Sequence, residues 1–246
     1  MSNQKVALIT GANRGLGFET AKQLGQQGVT VIIAARTTDK AQEAAEKLKQ
    51  DGVDAYGIQL DVTNKAHYQP AVDYITDKFG KLDILVNNAG VGPQDWTIGE
   101  LKVSTTTTEE LEYVFNTNLF SLVALTRELL PLIKKSDAGR IVNLSSILGS
   151  LTLHSQPDSP IATSKTLSYD ASKAALNVFT IHLAAELKDT NIKVNSVHPG
   201  WVKTDMGTDA APMEITDGAK TSVQLALLGA DGPTGRFIHL GEELPW

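Results

Sequence analysis

A tyrosine and a lysine four residues apart form a pair that could transfer a proton. Tyr169 and Lys173 lie on one face if their segment is helical, because residues i and i+4 of a helix are neighbours. A free phenol has a pKa of roughly 10 and exchanges its proton poorly near neutral pH. A lysine ammonium one turn away favours the phenolate and moves the phenol pKa toward the neutral range. The same spacing also occurs by chance at the edge of an ordinary amphipathic helix.

A serine at the end of an earlier apolar run makes this pair more specific. Ser145 ends the run Arg140–Ser145, and its hydroxyl could hydrogen-bond an oxygen on which negative charge develops. Asn118 lies inside a long helical stretch, although asparagine is a poor helix former. It is either a buried amide with satisfied hydrogen bonds or part of the same site.

A glycine-rich turn near the N-terminus could bind phosphate groups. The segment Thr10–Gly17 follows the first apolar run and precedes an amphipathic stretch. Glycines allow the backbone to approach a pyrophosphate closely, and the N-terminus of the following helix offers unpaired N–H groups. The spacing is Gly-x3-Gly-x-Gly rather than Gly-x-Gly-x-x-Gly, so a plain glycine-rich turn is the alternative. The residues expected to contact a dinucleotide here are Gly11, Asn13, Arg14, Gly15, Leu16 and Gly17.

The end of the second apolar run favours NADPH over NADH. An NAD site usually has an acidic residue at this position, which accepts a hydrogen bond from the ribose 2′-hydroxyl. This chain instead has Arg36 directly after Ala35. The guanidinium groups of Arg36 and Arg14 could pair with the 2′-phosphate of NADP(H). In the alternative interpretation, Arg36 is only a solvent-exposed residue at the end of a strand.

The elements that position these residues alternate between short apolar runs and longer amphipathic stretches. The runs are nearly continuous in apolar residues, which is typical of strands buried on both faces of a parallel sheet. The alternation predicts a single-domain α/β fold of the Rossmann type: a doubly wound parallel sheet of about seven strands with helices on both faces. The expected strands are Lys5–Thr10, Val29–Ala35, Val53–Leu60, Leu82–Asn87, Arg140–Ser145, Ile192–His198 and Phe237–Leu240. The expected helices are Gly15–Gln27, Thr38–Gln50, Lys65–Phe79, Glu109–Lys135, Tyr169–Lys188 and Asp217–Leu228.

Two stretches without clear periodicity are expected to line the ligand site. Residues 151–167 and 199–216 both follow strands, and ligands of such sheets bind beyond the carboxyl ends of the strands. Val91–Trp96 and Ile147 are further expected pocket walls. Trp201 either lines the pocket or fills the core, and His198 is expected to be structural.

The composition excludes several classes of protein. With 246 residues, 41% of them hydrophobic, the chain can bury a full core and is not intrinsically disordered. A net charge of −6 argues against a nucleic-acid partner. The absence of cysteine excludes disulfides and thiolate sites, and the scattered histidines give no reason to expect a metal. No run approaches the ~18 apolar residues of a membrane span, so no membrane partner is expected and the default location is the cytoplasm.

Together, these motifs resemble those of the short-chain dehydrogenase/reductase family. The matching segments occur in the family's order and cover nearly the whole chain: Thr10–Gly17, Asp61-Val62, Asn87–Gly90, Asn118, Ser145, Tyr169 with Lys173, and Pro199-Gly200. The segment Pro199–Met206 and the tail Gly232–Trp246 further resemble the carbonyl-reductase branch and the bacterial C-factor-like reductases. Tyr169 lies 24 residues after Ser145, a longer separation than is usual in the family. This separation indicates an insertion near Leu153–Thr166.

The resemblance implies a role for each matched residue. Tyr169 is expected to donate a proton and Lys173 to hold the nicotinamide ribose. Ser145 is expected to bind the substrate oxygen, and Asn118 to anchor a water that links Lys173 to solvent. The implied cofactor contacts also include Asp61 and Val62 at the adenine, Asn88, Ala89 and Gly90 along the adenosine ribose, and Pro199, Gly200, Val202 and Thr204 toward the nicotinamide. Thr204 could instead cap a helix.

The expected function is NADPH-dependent reduction of a ketone or aldehyde to an alcohol. The expected partner is a small carbonyl compound, and the chain is expected to be a monomer or a homodimer. Two alternatives stay open: an alcohol dehydrogenase working in the oxidative direction, and an NADP-binding signalling protein. The presence of Asn118, Ser145, Tyr169 and Lys173 together favours an enzyme.

Overall fold

In the part of the chain that the structure describes, eight strands form one sheet at the centre of the molecule. The computed structural model describes residues 4–94 and 102–246. The strand order is β3-β2-β1-β4-β5-β6-β7-β8, and every pair is parallel except β7 with β8. The strands are β1 (Val6–Thr10), β2 (Thr30–Ala35), β3 (Ala55–Gln59), β4 (Ile84–Asn87), β5 (Arg140–Leu144), β6 (Lys193–Val197), β7 (Phe237–His239) and β8 (Glu242–Glu243). The prediction of a doubly wound Rossmann-type sheet with seven parallel strands is confirmed.

Helices cover both faces of the sheet, because successive side chains of a strand point to opposite faces. Every residue of β1 and β2 is buried. Leu8 packs with one layer of helices, whereas its neighbours Ala7 and Ile9 pack with the other. The helices are α1 (Gly15–Gln26), α2 (Thr38–Gln50), α3 (Tyr68–Phe79), α4 (Thr108–Phe115), α5 (Leu122–Ile133), α6 (Leu151–Ser155), α7 (Leu167–Glu186), α8 (Ile215–Gly218) and α9 (Lys220–Ala226). Within the described ranges, none of these helices is long and apolar enough to cross a membrane.

The observed elements differ from the predicted ones in several places. The stretch expected as one helix over 109–135 is α4 and α5 joined by a π-helix, Asn116–Ser121. A short helix, α6, opens the expected loop 151–167, because Ser150 caps it by accepting a hydrogen bond from the Leu153 amide. The stretch 217–228 forms two short helices, α8 and α9, rather than one. The short antiparallel strand β8 was not predicted, because its two glutamates are exposed and carry no apolar signal.

The fold brings the candidate site residues to one edge of the sheet. The strand order reverses between β1 and β4, and in such sheets a crevice opens there beyond the carboxyl ends of the strands. The glycine turn follows β1, and the segment Asn88–Gly90 follows β4. The serine pair Ser145-Ser146 follows β5, and Pro199-Gly200 comes shortly after β6. Residues separated by more than 180 positions in the chain therefore meet at one crevice.

Candidate functional site

The glycine turn between β1 and α1 has the backbone shape that a phosphate cradle needs. Gly11 and Gly15 have φ angles of +62° and +59°, in the left-handed region that disfavours residues with a side chain. A Cβ at Gly17 would lie 2.4 Å from the Asn88 amide nitrogen and 2.9 Å from the Ala12 Cα. Three glycines are therefore required by the local geometry, which favours the functional interpretation of the turn over a merely flexible one.

The N-terminus of α1 is open to an anionic ligand. Arg14 occupies the N-cap position without a side-chain hydrogen bond to the helix, and the first turn contains no acidic residue. The first N–H groups of this twelve-residue helix therefore keep their partial positive charge for an external acceptor. A dinucleotide pyrophosphate fits this turn, which also presents Asn13 and Leu16 as partly exposed side chains.

The two arginines proposed for a 2′-phosphate have different surroundings. Arg36 directly follows β2 and is exposed, and its carbonyl accepts a hydrogen bond from Gln59 Nε2 at 3.1 Å. Arg14 forms an ion pair with Asp205, with 2.6 Å between Nη1 and Oδ2. Asp205 belongs to the 199–216 stretch, so this ion pair connects the glycine turn to the opposite side of the crevice.

The segment after β4 is hydrogen-bonded to the glycine turn and to Thr10 before it. The Asn88 side chain donates hydrogen bonds to the carbonyls of Thr10 (2.8 Å) and Gly11 (3.2 Å). The backbone amides of Asn88 and Ala89 both donate to the Thr10 hydroxyl at 3.0 Å. Thr10 was not among the predicted site residues, although its position directly before Gly11 could have indicated it. The side chain of Asn88 thus holds the cradle itself rather than facing a ligand.

The expected adenine contacts lie at the end of β3. The Asp61 carboxylate accepts hydrogen bonds from the Thr63 amide (2.9 Å) and the Thr63 hydroxyl (2.8 Å). The Val62 carbonyl accepts the Tyr68 hydroxyl at 2.5 Å, and Val62 is buried. This short turn is therefore rigidly held beside the β2–α2 connection that carries Arg36.

Tyr169 and Lys173 both lie on the buried face of α7. Tyr169 is 7% exposed and Lys173 is 4% exposed. The Lys173 ammonium lies 5.5 Å from the centroid of the Tyr169 ring and donates a hydrogen bond to the Leu144 carbonyl at 2.7 Å. A Cβ added at Gly90 would come within 3.5 Å of the ammonium, so the segment after β4 packs close to it. The two side chains therefore lie close together on α7, and Lys173 is hydrogen-bonded to the end of β5.

Burial shifts the pKa of both groups. The pKa of the Tyr169 phenol is raised to about 12, mainly by removal from water; a hydrogen bond with Ser146 acts to lower it, and the neighbouring Asp170 charge acts to raise it. Burial lowers the pKa of Lys173 to about 8. The sequence predicted a lowered phenol pKa, but the ammonium lies over the ring and is hydrogen-bonded to a carbonyl. The phenol is consequently protonated at neutral pH and can donate a proton.

Two adjacent serines at the end of β5 have different orientations. The Ser145 hydroxyl donates to the Lys173 carbonyl at 3.4 Å, so it faces the α7 backbone. The Ser146 hydroxyl is hydrogen-bonded to the Tyr169 phenol and accepts the Leu148 amide at 3.2 Å. The serine beside the phenol is therefore Ser146, whereas the sequence analysis chose Ser145 for that position. Adjacent residues of an extended chain point to opposite sides, and the sequence does not reveal which one faces the crevice.

Asn118 connects the segment after β4 to α7. It lies in the π-helix between α4 and α5 and is fully buried. Its side-chain oxygen accepts the Val91 amide at 2.8 Å, and its side-chain nitrogen donates to the Val91 carbonyl (2.9 Å) and the Ser172 hydroxyl (3.0 Å). π-Helical turns frequently mark functional sites, and this one brings Asn118 close to the Lys173 region. Both N–H donors of the amide are used inside the protein.

The 199–216 stretch closes over the glycine turn. Gly200 has a φ angle of +98°, and Val202 is buried and pairs with Met213 in an isolated β-bridge. The Thr204 hydroxyl accepts the Gly207 amide at 3.1 Å. Trp201 is 50% exposed, and its indole donates to the Gly207 carbonyl at 2.8 Å. Trp201 is therefore a surface residue of this loop and does not fill the core.

The insertion before Tyr169 is held by a polar cluster that the sequence did not reveal. The His154 ring receives a hydrogen bond from Lys165 Nζ at 2.9 Å, and its other nitrogen lies 2.9 Å from the Leu148 carbonyl and 3.3 Å from Asp170 Oδ2. Burial raises the pKa of Asp170 to about 7 and lowers that of His154. This cluster fixes α6 beside the start of α7. Of the other expected pocket walls, Val91 contacts Asn118, whereas residues 95 and 96 lie outside the described residues.

Comparisons with known proteins agree with this geometry. The sequence profile described as short chain dehydrogenase matches residues 5–215. Short-chain dehydrogenase/reductase 1 of Saponaria officinalis is 34% identical, with 100% of this chain and 97% of that protein covered. Carbonyl reductase [NADPH] 1 of Mus musculus is 32% identical, with 100% and 99% covered. The NADPH-bound carbonyl reductase from chicken fatty liver superposes over 100% of both chains with a TM-score of 0.85 at 26% identity. The chain therefore belongs to the short-chain dehydrogenase/reductase family.

Proposed function

We propose that this protein reduces a ketone or aldehyde to an alcohol with NADPH. The observation that carries the proposal is the buried, protonated phenol of Tyr169, which lies beside the Ser146 hydroxyl and the Lys173 ammonium at the carboxyl edge of the sheet. This arrangement supplies a proton, a hydrogen-bond donor and a cation at one point. Those are the groups that a carbonyl oxygen needs as it becomes an alcohol.

The chain's own residues would perform the proton half of the reaction. When bound, NADPH supplies the hydride that adds to the carbonyl carbon. The Ser146 hydroxyl holds the carbonyl oxygen and stabilises the negative charge that develops on it. Tyr169 transfers its phenolic proton to that oxygen. The Lys173 ammonium stabilises the resulting phenolate, and its hydrogen bond to Leu144 fixes its position.

The raised pKa of Tyr169 favours the reductive direction over the oxidative alternative. Reduction requires a protonated phenol, whereas oxidation of an alcohol requires a phenolate to accept the hydroxyl proton. With the pKa at about 12, nearly all molecules carry the proton at neutral pH. Asp170 adds to this bias, because its charge also raises the pKa of Tyr169.

A preference for NADPH over NADH is supported by the end of β2. Arg36 is exposed there, and the strand ends in alanines without the acidic residue typical of NAD sites. Arg14 lies on the neighbouring turn and could complete a site for the 2′-phosphate. The mouse relative is named as an NADPH enzyme, and the chicken structure is described as NADPH-bound. The remaining contacts proposed are those of the glycine turn, Asp61-Val62, Ala89-Gly90 and the residues Pro199, Gly200, Val202 and Thr204.

Steady-state kinetics tests the proposal. NADPH oxidation is followed by absorbance over a panel of aldehydes, α-keto esters, diketones and quinones, with Tyr169→Phe as the matched control. We expect turnover with at least one carbonyl and a loss of kcat of about 10²- to 10⁴-fold in the variant, with NADPH binding retained. Turnover that persists in Tyr169→Phe would refute the role of the phenol. Tight NADPH binding without turnover of any carbonyl would favour a cofactor-binding signalling protein.

A further inference from the structure

His198 occupies the junction between two loops of the candidate site. It directly follows β6 and is only 9% exposed. Its backbone amide donates to the Ile238 carbonyl at 2.9 Å, and its carbonyl accepts a hydrogen bond from His239 Nδ1 at 2.8 Å. The backbone of His198 is thus hydrogen-bonded to β7 on one side, and its ring faces the turn after β5 on the other.

The imidazole continues the β5–β6 ladder where the backbone ends. The last backbone hydrogen bond of this ladder runs from the Ser145 amide to the Val197 carbonyl at 2.8 Å. Two residues further on, the Ile147 amide donates to His198 Nδ1 at 3.2 Å instead of to a backbone carbonyl. The Gly200 amide donates to the same nitrogen at 3.4 Å. One ring nitrogen therefore holds both the turn after Ser146 and the glycine of the following loop.

These contacts determine the protonation of the ring. A nitrogen that accepts two N–H groups carries no proton, so the neutral ring has its hydrogen on Nε2. Burial and the neighbouring His239 ring, whose centroid is 4.7 Å away, lower the pKa of His198 to about 3. The imidazole is consequently a permanent hydrogen-bond acceptor at working pH and not an acid or base of the reaction.

We propose that His198 is a positioning residue, whose Nδ1 fixes Ser146 relative to Gly200 by accepting the amides of Ile147 and Gly200. The inference rests on the proposed function, because it concerns the serine beside the Tyr169 phenol. Loss of the acceptor leaves two part-buried N–H groups without this partner, and the turn after Ser146 relaxes to find new ones. The hydroxyl then no longer meets the substrate oxygen at the required distance.

Two substitutions of His198 separate the acceptor from the volume of the ring. In His198→Asn, the side-chain oxygen occupies the place of Nδ1 and can accept the same amides. In His198→Leu, a side chain of comparable bulk has no acceptor. We expect kcat to fall about tenfold in His198→Leu and less than threefold in His198→Asn, with the NADPH Kd of both within about threefold of wild type. Thermal unfolding verifies that both variants are folded.

A double-mutant cycle distinguishes positioning from a general structural role. If His198 acts through Ser146, His198→Leu has no further effect on kcat in a Ser146→Ala background. Equal losses of kcat in His198→Leu and His198→Asn, or multiplicative effects in the double variant, would overturn the proposal.

A measurement without turnover separates this proposal from the proposed function. Nitrogen NMR of the wild-type protein is expected to show an unprotonated Nδ1 and a protonated Nε2 on His198 throughout the neutral range. A proton on Nδ1 would overturn the inference even in an active reductase. If no carbonyl reacts although this tautomer is present, the proposed function is refuted, and the positioning role is refuted with it. The hydrogen bonds of His198 Nδ1 would still stand.

Discussion

Replacing each of the two adjacent serines after β5 gives the sharpest test of the site geometry. Ser146→Ala removes the hydroxyl that is hydrogen-bonded to the Tyr169 phenol, whereas Ser145→Ala removes one that faces the Lys173 carbonyl. The two substitutions delete the same atom from neighbouring, buried positions. Any difference in their effects therefore reports on orientation and not on the chemistry of the change.

The expected losses of kcat in the two variants differ by about two orders of magnitude. Loss of a hydrogen-bond donor at a developing oxyanion lowers kcat by about 10²- to 10³-fold, or roughly 3–4 kcal/mol, and we expect this for Ser146→Ala. The Ser145 hydrogen bond is long, at 3.4 Å, and its acceptor is the Lys173 carbonyl. Its loss is expected to lower the free energy of unfolding by at most about 1 kcal/mol and to leave kcat within about threefold.

Both variants are assayed by NADPH oxidation with the best carbonyl of the panel and by thermal unfolding. NADPH binding is expected to be unchanged in each, because neither serine belongs to the glycine turn. Ser146→Ala also loses the cap on the Leu148 amide, so a stability loss of about 1 kcal/mol is expected there and does not explain a 100-fold change in kcat. A larger kcat loss in Ser145→Ala than in Ser146→Ala would refute the assignment and restore Ser145.

Three further substitutions test charges around the site. Arg36→Asp is expected to weaken NADPH binding by at least tenfold and NADH binding far less, as measured by fluorescence titration; equal effects on both would contradict a 2′-phosphate site. Asp205→Asn frees Arg14 from its exposed ion pair, so NADPH affinity is expected to rise up to about fivefold, the range of a surface salt bridge; weaker binding would show that the ion pair assists the cofactor. Asp170→Asn is expected to stabilise the protein at pH 8 but not at pH 4. The folded-state pKa of Asp170, about 7, lies above its unfolded value, so its stabilising contribution is present below about pH 4 and is lost as pH rises through 7. Its Oδ1 is also buried without a hydrogen bond, and the gain at pH 8 is about 4 kcal/mol at most. Equal melting temperatures of wild type and variant at pH 8 would contradict the buried charge.

The sheet could be predicted from the sequence because a strand that is buried on both faces consists almost entirely of apolar residues. The segments at β1 and β2 contain almost only apolar residues, and all of them are buried in the structure. The glycine turn could be predicted for a related reason: at Gly11, Gly15 and Gly17 the backbone angles or the close approach of Asn88 exclude a Cβ. Each of these signals comes from a constraint on a single position.

The parts that could not be predicted depend on pairs of residues that the fold brings together. His154 and Asp170 are 16 positions apart, and nothing in either residue type indicates that a buried carboxylate will meet an imidazole there. The Asn118 side chain likewise hydrogen-bonds Val91 and Ser172, which lie on two other segments.

The serine pair also could not be resolved from the sequence, although only two neighbouring residues are involved. Ser145 and Ser146 are identical in type and adjacent, and both orientations satisfy the local pattern. The path of the chain after β5 decides between them, and there the Ile147 amide leaves the regular ladder and donates to His198. In our proposal this contact holds Ser146 in place from more than fifty residues away, and neither residue type reveals such a pairing in the sequence.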